Sequence, residues 1–212
     1  MPSDPKIIEF IQKRIRQVLA DTSLVVKDSI GNGNFGIVKG NGFDYLTDED
    51  SGHLIGLIPK KITESITVWF SVNIAINSST NKLKDISIGV YSDEPKVKLF
   101  RAEWASNLSP IAHAQPHWHV HIERGQVINK AWDESVENDF LTDLEGVVNN
   151  KLIFNVTDIH FAMYASWHRI ENKHVEDLSK FTDADIVNWT GGTLKYIIEQ
   201  LIYLYNKKQL YN

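Results

Sequence analysis

The chain has 212 residues, an apolar fraction of 42% and a net charge of −5 from 22 basic and 27 acidic side chains. That size and apolar content suit one cored domain, and the charge balance carries no nucleic-acid signature. Cysteine is absent, which excludes disulfides and thiolate metal sites, so any metal must rest on His, Asp or Glu.

Residues 5–20 have apolar side chains at helical spacing: Ile7, Ile8, Ile11, Ile15, Val18 and Leu19. Ser3 or Asp4 suits the cap and Pro5 the first turn. The start, MPSDPKIIEF, lacks the basic-then-apolar layout of a signal peptide, and no apolar run matches a membrane span. A cytoplasmic protein is expected. Leu24–Ile30 reads as a strand, Gly31–Gly42 as Gly- and Asn-rich turns, and Leu54–Ile58 as a short apolar run ended by Pro59.

The middle of the chain is strongly β. Ile66–Ile76 is dense in β-branched and aromatic residues, and Leu83–Tyr91 is its hairpin partner across the turn at 77–81. Lys96–Trp104 and His117–Glu123 follow as strands, which is the spacing of an antiparallel meander. Val127–Asn150 is a polar, acidic excursion. Lys151–Trp167 returns to a β-like composition, although Ile159–Trp167 is also compatible with a helix. Thr182, with Asp183 and Asp185 behind it, starts a C-terminal helix. Its apolar face is Leu194, Ile197, Ile198, Leu201, Ile202 and Tyr205, and Gly191-Gly192 is a point where it can divide in two. The expectation is a single α+β domain over 1–212, a central antiparallel meander with helices at both ends.

The chemistry concentrates in QPHWHVHIERG, residues 115–125. A strand sends successive side chains to opposite faces. His117, His119, His121 and Glu123 therefore share one face, and Trp118, Val120 and Ile122 the other. Imidazoles at i and i+2 are spaced to share one ion. The outer two of three lie roughly 13 Å apart by the strand rise. A single ion therefore uses a neighbouring pair, and a further ligand must come from elsewhere. Arg101 and Glu103 share a face of the preceding strand and would flank the imidazoles if the two strands pair. Asp158 and His160 alternate in phase and suit a ligand or ring-orienting pair. A cross-strand ion pair at Arg101 and Glu103, or a core histidine at His160, would explain the same residues without a site.

The row resembles two families. His117-Trp-His119-Val-His121-Ile is similar to the histidine-triad hydrolases and transferases, which implies His119 as nucleophile on a nucleotide phosphate. Residues 52–60 and Gln115 are loosely similar to that family too, but it places a helix where Ile66–Ile76 here reads as strand. His117-x-His119-x-x-x-Glu123 resembles the first cupin metal motif, which implies two histidine ligands and a carboxylate. The Pro116-His117-Trp-His119-Val-His121 string is also similar to bacterial proteins with a Pro-His-x-His-x-His strand, a likeness that implies no activity. Ile30–Val38 fits the kinase glycine-rich loop, but the catalytic-loop and Asp-Phe-Gly motifs are missing.

Three functions follow as expectations. One is divalent-metal binding, with Zn²⁺ or a similar ion on ligands drawn from His117, His119, His121, Asp158 and His160. Glu103, His119 and Glu123 would be the catalytic groups of a metal-dependent hydrolase. The second is metal-free phosphate chemistry of the histidine-triad type on a small phosphate-containing substrate. The third is a non-enzymatic interaction subunit of a bacterial complex.

Overall fold

Alternating apolar residues in the middle of the chain become the strands of one antiparallel sheet, and everything else is placed by which face it covers. The computed structural model describes residues 5–28, 33–42, 44–47, 54–64, 66–92, 98–106, 115–120, 160–162 and 177–210. Helix α1 (Pro5–Leu19) precedes β1 (Leu24–Asp28), β2 (Asn34–Lys39), β3 (Asp44–Thr47) and β4 (Leu54–Lys61). Then come β5 (Thr67–Ile76), β6 (Leu83–Tyr91), β7 (Lys98–Ala105), β8 (His117–Val120) and β9 (His160–Ala162). A 3₁₀ turn (Leu178–Lys180) leads into helix α2 (Asp183–Leu210).

The order across the sheet is β1-β2-β5-β6-β7-β8-β9, with every neighbour antiparallel. From β5 onward this is the expected α+β meander. One edge of β5 is shared: β4 pairs with its first half, Ile58 against Phe70, and β2 with its second, Phe35 against Ile74. The first half of β4 turns away to pair with β3.

Period-2 alternation decides the core. Val68, Phe70, Val72, Ile74 and Ile76 of β5 and Ile86, Ile88 and Val90 of β6 point to one face and are buried. Helices α1 and α2 cover that face with Ile7, Ile8, Ile11, Ile15, Ile186, Leu194, Ile197 and Ile198. The opposite face carries a smaller apolar cluster of Ile55, Leu57 and Tyr91, with Leu46 and Trp69 against it. The rest of that face is polar, with Ser71, Asn73, Asp85, Ser87, Arg101 and Glu103 in the other phase of β5, β6 and β7.

Two of the helix ends are locally satisfied. Thr182 and Asp185 form a reciprocal cap: Asp185 Oδ2 accepts from Thr182 N–H and Oγ1, and Asp185 N–H donates to Thr182 Oγ1. Helix α1 ends at Ala20, whose φ of 55° is left-handed, and Asp21 N–H reaches back to the Arg16 carbonyl at 3.0 Å. Gln12 and Arg16 both donate to the Leu24 carbonyl, which ties α1 to β1.

Several sequence expectations change. Gly31–Gly42 is not all turn: β2 runs through Gly36, because Phe35 and Ile37 are apolar in the right phase and pack on the core. Pro59 does not end β4, which continues through Lys61 along β5. Gly191-Gly192 does not divide α2. A Cβ at Gly191 would collide with the Arg14 side chain of α1, so that glycine lets the two helices approach. Ile202, placed on the buried face by spacing, is exposed. The acidic excursion, Val127–Asn150, lies outside the described residues. No described helix is long and apolar enough to cross a membrane.

Candidate metal centre

The site is made by the pairing of β7 with β8. Their register sets Glu103 opposite His117 and Arg101 opposite His119. All four side chains share the polar face, because residues directly opposite in a sheet point the same way. The intervening residues face the other way and hold the strands in place. Ala102 is fully buried, Trp104 packs edge-on to Phe181 at 4.7 Å, and Trp118 meets Phe100 edge-on at 5.7 Å. Gln115 fixes the entry to β8 by accepting the Ala105 N–H at 2.9 Å.

The functional atoms converge closely. Nε2 of His117 and Nε2 of His119 are 2.6 Å apart. Oε2 of Glu103 lies 3.3 Å from Nε2 of His119. Nη2 of Arg101 lies 2.9 Å from that same Oε2 and 3.2 Å from Nε2 of His119. One donor atom each from Glu103, His117 and His119 falls within 4.8 Å of the others, so three residues are placed to bind a metal ion. His117 is fully buried, and Glu103 and His119 keep a narrow opening, with 18% and 13% of their side chains exposed.

The protons of this cluster do not add up comfortably. Nε2 of His119 faces a donor, Arg101, and an acceptor, Glu103, and a single ring nitrogen cannot accept from one and donate to the other at once. A cation in the middle lets Glu103, His117 and His119 each turn a lone pair toward it, and Arg101 then donates to Glu103 alone. A tetrahedral ion with bonds near 2.0–2.2 Å spaces its ligand atoms by about 3.3 Å. The His119–Glu103 separation already matches that value, and the two imidazoles would part from 2.6 Å to about the same distance.

Electrostatics separates the two carboxyls at the site. Burial by itself would raise Glu103, but the hydrogen bond with His119 and the charge of Arg101 outweigh it and hold the carboxyl at about 2. Glu103 is therefore the ionised group a metal needs. Asp85, across β6, is pushed up to about 8, first by burial and then by the charge of Glu103 and its hydrogen bond with that carboxylate. It holds Glu103 from behind, as outer carboxyls commonly hold a ligating one.

Of the residues singled out from sequence, the structure brings together Glu103, His117, His119 and Arg101. His160 lies on β9 with its backbone opposite His119, and its side chain is outside the described set. His121, Glu123 and Asp158 also lie outside the described residues. Asp85 was missed. Its signal was available: in Leu83–Tyr91 the positions Asp85, Ser87 and Gly89 form a polar phase against Ile86, Ile88 and Val90. No family model, curated protein or solved structure matches this chain.

Proposed function

We propose that this chain is a divalent-metal-binding protein of the cytoplasm and that its metal serves a hydrolytic reaction. Glu103, His117 and His119 are the protein ligands, and the ion is Zn²⁺ or a similar one. The observation that carries the reading is the convergence of three lone-pair donors within 4.8 Å on one face of two paired strands. Three protein ligands leave a coordination position for solvent or substrate. When bound, such an ion supplies a Lewis acid and lowers the pKa of a coordinated water. Asp85 and Arg101 set the charge and orientation of Glu103.

Metal analysis of protein purified without a histidine tag is the test. One equivalent of metal, lost in His119→Ala and in Glu103→Gln, is the expected result. The absence of bound metal, together with no thermal shift on adding Zn²⁺, Mn²⁺, Ni²⁺ or Fe²⁺, would sink the reading.

Arg101 favours a second reading. A guanidinium against a histidine suits phosphate, and metal-free chemistry with His119 as nucleophile uses the same groups. It predicts a phosphoramidate at His119 in chelator-treated protein given a nucleoside phosphoramidate. Turnover that survives His119→Ala would reject it.

A further inference from the structure

The polar face extends beyond Glu103 into a cavity of about 210 Å³. Its floor is Ser71 and Asn73 of β5 and Ser87 of β6, and Ile55 of β4 forms part of its wall. Lys98 and Arg101 of β7 both line it. Among the described lining residues Asp85 is the single acid, and its carboxyl is hydrogen-bonded to Glu103. The charged part of the lining is thus cationic in balance, and the remainder mixes polar side chains with apolar ones such as Phe35, Leu54 and Ile74.

Arg101 joins this cavity to the metal centre. Its Nη2 serves Glu103 and His119. Its Nε is buried and closed to solvent, so a ligand in the cavity meets the guanidinium at its Nη groups. A guanidinium presents its N–H donors as a planar fork. An oxyanion is the group that meets such a fork, commonly with two parallel hydrogen bonds. The volume limits what can bring that group in. At about 210 Å³ the cavity is smaller than the roughly 300–1,000 Å³ usual for sites that take drug-sized ligands, which favours a small molecule.

We propose that this cavity binds a small molecule bearing an oxyanion, a carboxylate or a phosphate, whose acid group sits on Arg101. The rest of the molecule lies over the floor of Ser71, Asn73 and Ser87. Its position beside a metal rests on the reading above, whereas the anion site itself stands on Arg101 and the cavity. It would give that centre its substrate class: a small acid, oriented by Arg101 toward the open side of Glu103 and His119.

The test is calorimetric titration with malonate and, separately, with inorganic phosphate. Each is run on chelator-treated protein and on protein carrying one equivalent of Zn²⁺. The expected result is one-to-one binding of at least one probe, with the preferred probe telling carboxylate from phosphate. Arg101→Gln should weaken it about tenfold or more, the size of a lost charge-assisted hydrogen bond. Arg101→Lys should fall between, because it keeps the charge and loses the fork. Zn²⁺ stoichiometry is measured alongside, and the decisive comparison of wild type with Arg101→Gln is made on the chelator-treated proteins, where a change in metal uptake cannot contribute. If Arg101→Gln does not fold, Asn73→Leu and Ser87→Val read the same floor and should also weaken binding. No binding of either probe up to about 10 mM overturns the anion site. Binding that needs Zn²⁺ and persists at full strength in Arg101→Gln overturns it too, by making the anion a metal ligand. Anion binding through Arg101 in a protein that takes up no metal upholds this site while the metal reading falls.

Discussion

The two faces of the sheet use the same strands for opposite purposes. On one face β5 and β6 contribute Phe70, Val72, Ile74, Ile86, Ile88 and Val90, all buried beneath α1 and α2. On the other face the same strands contribute Ser71, Asn73, Asp85 and Ser87, and β7 and β8 add Arg101, Glu103, His117 and His119. The first face supplies stability through apolar burial. The second concentrates charge and hydrogen-bonding groups that a fold selected for stability alone would not place together. Their alternation is also why the site can be stiff. Trp104 and Trp118 anchor into the helix-covered core, so the backbone that carries Glu103, His117 and His119 has little room to shift.

If the faces are separable in this way, substitutions should divide cleanly. Ile88→Ala, at a fully buried position, should cost about 2–5 kcal/mol in a urea melt. Metal uptake by the folded fraction should be unchanged, and a joint loss would break the comparison. Next in size is the response to metal. At a metal concentration a hundredfold above Kd the wild type should gain about 2.7 kcal/mol, read as a rise in Tm. His119→Ala and Glu103→Gln should gain nothing, while their chelator-treated stability moves less than that of Ile88→Ala.

A smaller effect lies in pH. Asp85 has its pKa raised from 3.8 to about 8, so the native state holds a proton that the unfolded chain releases. Its contribution is full below about 4 and is lost as pH rises toward 8. Glu103, lowered from 4.5 to about 2, acts in the other direction, and its contribution disappears as pH falls through that window. Metal-free protein should therefore lose Tm between about pH 5 and 8. Asp85→Asn, whose amide can keep the hydrogen bond to Glu103, should flatten that slope and change little at pH 5. An unchanged slope would show that Asp85 is ionised throughout. The smallest effect belongs to neither face. Ala20 sits at φ 55°, and Ala20→Gly should raise stability by up to about 1 kcal/mol in a thermal melt without altering metal uptake.

Much of this architecture could be read from residue order. The strands at Ile66–Ile76 and Leu83–Tyr91, the N-terminal helix and the cap at Thr182 all follow from local periodicity and capping chemistry. The parts that could not be read are those decided by distant contacts. Gly36 suggests a turn until β5 offers it a partner, and Pro59 suggests a stop until the rest of β4 aligns along the same strand. Gly191 looks like a helix breaker because nothing nearby in sequence announces Arg14. The site shows the same division. The pairing of His117 with His119 is a property of one strand and was legible. Glu103 was a conditional candidate, since its place depended on a register that sequence does not state. Asp85 depends on a further strand, and its role appears only when β6 lies beside β7.

That the site residues come from consecutive strands has a consequence for how the molecule assembles. Asp85, Arg101, Glu103, His117 and His119 lie on β6, β7 and β8, each paired with the next in chain order. Bringing them together closes only nearest-neighbour loops, and the entropy of closing a loop rises slowly, by about 0.6 kcal/mol for each doubling of its length. The joining of β2 to β5, and the packing of α1 on α2, span longer stretches of chain. The three candidate ligands can therefore meet before the molecule is fully closed, and an ion captured at that stage would act as a pin in the nascent sheet.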